Sequence, residues 1–349
     1  MGPAYLTGLG TSFPGPPIEQ PAIWDGYFAA RCGDDPVARR IFTAAGVQRR
    51  HAAVNPLVED VSGWSTGERM RRWAAESVPL GKDATSGALA GAGLAASELG
   101  LLTVVSCTGY ATPGLDIRVA ADLGLPADAQ RLSVGHMGCY AAVPGLGAAA
   151  DFVTARGRAA AMLCCELTSL HVQPPDDDRG QAVSHALFGD AAASVVLRPE
   201  PVDGALEVLD VAAVTDPATS DHMTWEITDL GFRMGLSPEV PAVLARHVGP
   251  AVTGLLDRHG LGVADVDAWA VHPGGPRIID VVADRLGLAA EDTAASRAVL
   301  ANRGNCSSAT VILVLDALRS AGLPRPGKTA MVLAFGPGLT LYAALLRAI

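Results

Sequence analysis

The sequence predicts an α/β protein made of two similar halves, and two observations carry that reading. First, short apolar or β-branched runs alternate with alanine-rich stretches of helical character: 101–105, 131–134, 159–165, 191–197, 268–271 and 329–333. Several of these runs are apolar throughout, as befits strands covered by helices on both faces. Second, the chain repeats its landmarks. VVSCTGYATPGLDIRVAADLGL, 104–125, runs strand, Pro/Gly turn and helix; WAVHPGGPRIIDVVADRLGL, 269–288, repeats that order and closes on nearly the same residues. Each is followed by a glycine opening a helix start, Gly138-Cys139 and Gly304-Asn305, and then by a Phe-Gly turn beside a strand, Phe188-Gly189 and Phe335-Gly336. Landmarks recurring in one order point to duplication. The halves are expected at 1–203 and 204–349, joined through the turn-rich PEPVDG of Pro199 to Gly204.

Each element fits a large buried core. With 349 residues, 49% of them hydrophobic, the chain needs no disulfide or metal staple. A net charge of −10 and a pI near 5.2 exclude a nucleic acid or an anionic membrane as the main partner, because both require a basic footprint. The one basic cluster, Arg39, Arg40, Arg49 and Arg50, is either a phosphate contact or an ordinary solvated face. No apolar run reaches the roughly 18 residues of a membrane span, and the amino terminus lacks a basic segment before an apolar one, so a cytoplasmic protein is expected. Cys32, Cys107, Cys139, Cys164, Cys165 and Cys306 form no CxxC pair, so six free thiols are expected. His136 and Cys139 lack a second ligand pair, so no metal is expected.

Three residues carry the chemistry. Cys139 follows a short strand and Gly138 and precedes a helix of small residues. There the unpaired N–H groups favour a thiolate, although a buried core cysteine fits the same local pattern. His272 ends an apolar strand before Pro-Gly-Gly, a turn that brings an imidazole to the rim of a sheet. Asn305 opens the next helix, where it is either a cap or a functional amide. Their matching places in the two halves favour function.

GHMGCYAAVPGL, LFGD, VHPGGPRIID, GNCSSATVILVLD and AFGPGLT, in that order, resemble the motifs of type III polyketide synthases, the chalcone synthase superfamily. The resemblance covers the chain from about Arg40 to the C-terminus. It implies a thiolase-like duplicated αβαβα five-layer fold, a homodimer, and Cys139, His272 and Asn305 as the catalytic residues. It implies acyl-CoA and malonyl-CoA as substrates, no resident cofactor, and repeated decarboxylative condensation ending in a small pyrone or phenol. Phe188 is similar to the family's gatekeeper, with Met234 as its partner. Cys107, Thr108, Thr112, Thr168, His171, Trp225 and Ser307 match pocket positions. Thr112 precedes Pro113, where a cis bond is admissible, in a loop expected to reach a neighbouring subunit. Trp225 stands where plant relatives have glycine, so a smaller cavity is expected. Cys107 and an aromatic at 225 parallel the bacterial naphthalenetetrol-forming members and imply a small or malonyl starter, while GHMGCYAA departs from their pattern. For CoA, Arg40 fits one basic position, Val37 and Ala44 replace expected lysines, and Arg277 with Gly274 and Gly275 is a substitute. An acyl carrier protein is the alternative donor. Two rival activities share this scaffold. A ketoacyl synthase III-like single condensation would show HQAN and NTSA where this chain has HPGG and GNCSSA; an acyltransferase without condensation would not need Asn305.

Overall fold

The computed structural model describes residues 2–33, 35–176 and 178–349. Nine strands form one sheet: β1 (Tyr5–Ser12), β2 (Leu99–Ser106), β3 (Gln130–Gly135), β4 (Ala159–Glu166), β5 (Ala191–Arg198), β6 (Leu206–Thr215), β9 (Val266–Val271), β10 (Thr329–Gly336) and β11 (Thr340–Ala348). A separate hairpin pairs β7 (Met223–Thr228) with β8 (Gly231–Leu236). All six apolar runs singled out in the sequence lie within sheet strands.

The strand order is β9-β10-β11-β6-β1-β5-β4-β2-β3. From the central β1/β6 pair outward, each half repeats one pattern. In the first, β1 is antiparallel to β5, β5 to β4, and β4 runs parallel to β2; in the second, β6, β11, β10 and β9 do the same. The first half alone carries a further parallel edge strand, β3. Phe188-Gly189 lies between β4 and β5 and Phe335-Gly336 at the corresponding step from β10 to β11, although only the second dipeptide belongs to a strand.

Helices make the remaining layers. The long α2 (Thr66–Ala92) covers one outer face, packing on β1, β5 and β4, with α3 (Leu115–Leu123) beside it. On the other outer face lie α6 (Val240–Asp257) and α7 (Pro276–Leu286). Between the half-sheets run α4 (Ala142–Arg156) and α9 (Ser308–Ser320), which touch strands of both halves and each other. The two middle helices explain their own composition. Ser308 to Leu315 is buried at every position, and α4 is rich in glycine and alanine because a helix buried all round has no polar face to show. At Gly145, an added Cβ would come within 2.8 Å of Met162 Sδ. The helices α3 and α7 close the repeated landmark in the same way, each ending on a left-handed glycine, Gly124 and Gly287. Two further helices, α5 (Arg179–Leu187) and α8 (Ala294–Arg303), bring their last turns to the rim of the sheet, as does α1 (Pro36–Ala44) outside them.

The outer face is equally close-packed. A Cβ on Gly8 would lie 1.9 Å from Ala88 O, and one on Gly10 would lie 2.2 Å from Ala84 O. The strand β1 therefore touches the backbone of α2, and no side-chain movement can make room. Gly10→Val is expected to cost about 3 kcal/mol or to prevent folding. Thermal denaturation followed by circular dichroism checks this; an unchanged midpoint would mean that α2 does not sit on β1.

Candidate active site

The duplicated scaffold brings the three chemical residues to one cavity. Cys139 lies three residues before the first residue of α4, and Asn305 lies three before the first of α9. His272 directly follows β9, as Cys107 directly follows the equivalent β2. The four positions are thus two related pairs facing each other across the middle layer. Cys139, His272 and Asn305 all line one cavity of about 540 Å3, and all three are buried.

Close backbone approaches fix each of them, and they account for the glycines of the motifs. The segments Phe188-Gly189 and Gly304-Asn305 run side by side: Asn305 N–H donates to Leu187 O at 2.8 Å, and Gly189 N–H donates to Asn305 O at 3.0 Å. A Cβ on Gly189 would strike Arg303 O at 2.4 Å, and one on Gly304 would strike Leu187 O at 2.7 Å. Gly138, at φ +83°, lies under Pro337, whose Cδ would be 2.6 Å from a Cβ there. The AFGPG loop therefore clamps the turn that carries Cys139. Main-chain N–H of His272 donates to Leu333 O at 2.7 Å, extending the β9/β10 ladder by one residue and aiming the ring into the cavity. Asn305 Oδ1 accepts from Ser307 N–H at 2.9 Å and lies 3.3 Å from Thr310 Oγ1. Since the oxygen is held by the protein, the amide NH2 is the end left for the cavity.

Phe188 and Met234 stand between two spaces. Together with Cys139 they line both the 540 Å3 cavity and an inner chamber of about 20 Å3, the latter walled also by Cys107, Thr108, Thr168, Trp225, Ser307 and Pro337. Room for about one water remains there. Trp225 fills the rest: it faces Met234 across the β7/β8 hairpin, and its indole N–H donates to Cys107 O at 2.7 Å. The outer cavity opens between α1, through Ile41, Ala44 and Ala45, and the turn of Gly274, Gly275, Pro276 and Arg277.

Two family profiles match, "Chalcone and stilbene synthases, N-terminal domain" over residues 1–201 and the corresponding C-terminal domain over 209–349. The chain belongs to this family of type III polyketide synthases. It is 36% identical over 319 residues to a 1,3,6,8-tetrahydroxynaphthalene synthase of Streptomyces peucetius subsp. caesius, covering 90% of this chain and 84% of that protein. It is 33% identical over 358 residues to the alpha-pyrone synthesis polyketide synthase-like Pks18 of Mycobacterium tuberculosis, covering 98% and 90%. Among solved structures, PKS-I of the brown alga Ectocarpus siliculosus superposes with a TM-score of 0.91 at 33% identity, covering 100% of this chain and 99% of that one. The C-terminal type III domain of Steely1 from Dictyostelium gives 0.93 at 25% identity, with 99% coverage of both.

Not every residue matched to the family's pocket sits in the chamber of this synthase. Thr112, whose bond to Pro113 is cis, is exposed and lines neither the outer cavity nor the chamber of its own subunit. His171 borders a separate small cavity behind Trp225, and both its nitrogens are committed: Nδ1 accepts from Phe232 N–H at 3.0 Å and Nε2–H donates to Thr108 O at 2.6 Å. Burial pulls its pKa down to about 3, so it is a neutral strut between two loops. Arg40 is exposed on α1, one residue before the cavity-lining Ile41, and Arg277 lies at the mouth itself; neither forms an ion pair among the described residues. The basic cluster does not survive as a unit. Arg50 is buried and donates to Phe188 O at 2.6 Å, so it braces the gate rather than facing solvent. All six cysteines are free thiols.

Two carboxylates escaped the sequence reading. Glu166, wholly buried at the end of β4, accepts from Cys107 N–H at 3.0 Å, from Thr108 Oγ1 at 2.8 Å and from the Ser308 hydroxyl. It ties the loop after β2 to the start of α9, and burial holds its pKa above the usual carboxylate value. Asp190 accepts from Ala53 N–H, Ser169 N–H and the Ser169 and Thr168 hydroxyls, fixing the loop beneath Phe188. An aspartate beside a strand gives no local sign of such partners, although LFGD contains it. Ser307 adopts φ +47°, in the region that favours glycine, and its hydroxyl lies 3.1 Å from Cys107 Sγ.

Burial opposes charge on both members of the nucleophile pair. It pushes the Cys139 thiol up to about 11, against hydrogen bonds from Ser307 and Asn305 that favour the thiolate, and pulls His272 down to about 3. The helix start therefore does not by itself make a thiolate, contrary to the expectation from local sequence. Both ring nitrogens of His272 lack a hydrogen-bond partner among the described residues. Moving one proton from sulfur to imidazole leaves the net charge unchanged, so the two groups ionise together more readily than either alone. Alkylation by iodoacetamide should accordingly proceed near neutral pH in the intact protein. In His272→Ala it should become slow there and rise steadily through the alkaline range toward pH 11. Identical pH profiles would show that His272 does not take the proton.

Proposed function

We propose that this synthase loads a small acyl group from a CoA thioester onto Cys139, decarboxylates malonyl-CoA against it, repeats the condensation, and closes the short chain to a pyrone or phenol. The observation that carries this reading is the meeting of Cys139, His272 and Asn305, from three distant segments, on one cavity that Phe188 and Met234 also border. In the loading step the thiolate attacks the thioester carbonyl and CoA thiolate departs. Malonyl-CoA then loses CO2, and the electron pair moves onto its thioester oxygen as an enolate. The Asn305 amide NH2 and the protonated His272 both donate to that oxygen, each worth roughly 3 to 4 kcal/mol in a buried site. The enolate carbon attacks the Cys139 thioester, forming the new C–C bond and freeing the cysteine.

The full inner chamber supports a small starter and few extensions, because Trp225 occupies the space a longer chain needs. Arg277 and Arg40, which lie beside the mouth and form no ion pair among the described residues, are suited to the phosphates of CoA. A cytoplasmic homodimer fits the first half's outer edge. There β3 is an open strand with every residue exposed except the half-buried Val134, and Tyr110, Ile117 and Leu132 around it are exposed at 51, 42 and 39%. No helix among the described residues is long and apolar enough to cross a membrane.

Purified protein incubated with malonyl-CoA and a panel of acyl-CoA starters should release CO2 and yield malonyl-dependent products visible by mass spectrometry. Cys139→Ala should abolish product while folding normally, whereas Cys139→Gln should still release CO2. Normal product from Cys139→Ala would refute the nucleophile. Trp225→Gly is expected to lengthen products by one or more two-carbon units or to admit bulkier starters; an unchanged product profile would mean that the indole does not limit the chamber.

A further inference from the structure

Two helices set the width of the outer cavity on one side. Ile41 and Ala44 of α1 line it, and beside them Val183, Ala186 and Leu187 of α5, before α5 runs into the Phe188 gate. Both helices reach the cavity with their last turns, so each presents there carbonyls that its own N–H groups do not satisfy. For Ala186 O the helical partner would be Asp190 N–H, which instead donates to His51 O at 3.0 Å. These helix ends therefore need a donor from elsewhere in the chain.

Gln20 supplies it to both helices with one nitrogen. This residue opens the short helix Gln20–Ile23 and is 4% exposed; its Nε2 donates to Ala186 O at 2.8 Å and to Phe42 O, in the last turn of α1, at 3.4 Å. An amide NH2 carries two protons, so both carbonyls are served at once. The other end of the same amide shows that this orientation is imposed. Oε1 is buried and accepts from nothing among the described residues, yet a turned amide would set that oxygen against two carbonyl oxygens. A buried acceptor without a donor is destabilising, and the fold tolerates it to keep Nε2 between the helices. The main chain of Gln20 is anchored from the other side: its N–H donates to Gln48 O at 2.7 Å, and Gln48 N–H donates to Ala301 O of α8 at 2.8 Å. One side chain thus refers α1 and α5 to the helix that leads into Gly304-Asn305.

We propose that Gln20 is a positioning residue for the thioester substrates, holding α1 and α5 at the separation that the pantetheine arm of CoA requires. The inference rests on the condensing function proposed above and deepens it. Gln20 lines neither the outer cavity nor the chamber, so it acts through the two helices and not by touching substrate. A displaced wall removes binding energy contributed by the remote arm, while the reacting end keeps its seat against Cys139, His272 and Asn305.

Two malonyl thioesters, followed by CO2 release, separate positioning from general damage. Malonyl-CoA occupies the whole mouth, whereas malonyl-N-acetylcysteamine carries only the reacting end of the same arm. In Gln20→Leu, kcat/KM for malonyl-CoA is expected to fall about tenfold, as for the loss of buried hydrogen bonds, and to do so through KM. Its kcat, and the kcat/KM of malonyl-N-acetylcysteamine, should stay within about twofold of the parent. Gln20→Asn, whose amide is one methylene too short to reach both carbonyls, should show the same split with less change to the core. A purely structural residue would lower turnover of both thioesters in the same proportion. That result, an unchanged KM for malonyl-CoA in both variants, or failure of both variants to fold would overturn the assignment. Absence of malonyl-CoA turnover in the parent protein would instead refute the condensing function, and this inference with it.

Discussion

The site depends on one contact between the halves, the parallel bridge in which Leu187 and Gly189 bracket Asn305 with two hydrogen bonds. This short ladder places the gate, Phe188, against the amide, and it requires glycine at 189 and 304 because each would otherwise meet a carbonyl oxygen. The amide is then oriented by Ser307 N–H, the gate is braced from behind by Arg50, and Cys139 is pressed into place by Pro337. Loosening the ladder would move Asn305 and Phe188 at once. In a pocket whose chemistry relies on angles rather than on strong bonds, a displacement of about 1 Å is costly.

Duplication explains why those residues can meet at all. Two copies of one strand–helix unit face each other across α4 and α9, so equivalent helix starts and strand ends converge on a common centre. Each copy contributes a residue at the helix start, Cys139 or Asn305, and one at the strand end, Cys107 or His272. The second half has the helix α8 where the first has the strand β3, so the sheet ends on β9 at one edge and on β3 at the other.

Much of this was legible in the chain itself. Apolar runs and the repeated ADLGL/ADRLGL endings announced the strands and the halves, and glycine-flanked Cys139, His272 and Asn305 announced the chemistry, because turns of this tightness leave few residue choices. Arg50 was grouped with surface arginines because adjacency in sequence does not report that successive residues of an extended segment face opposite ways, Arg49 outward and Arg50 inward. Glu166 and Asp190 were passed over for a similar reason: a buried carboxylate is identified by partners 20 to 140 positions away. The charge state of Cys139 was the largest difference. A helix start favours the thiolate, but complete burial outweighs it unless His272 takes the proton.

Acylation of the cysteine offers the most direct test of the central claim. Intact protein mixed with an acyl-CoA, quenched in acid and digested, should carry the acyl mass on the peptide containing Cys139 and on no other of the six cysteine positions. The same experiment on His272→Ala should show slower labelling of that peptide. An acyl group found on Cys107 or Cys306, or no adduct with any acyl-CoA offered, would contradict the account.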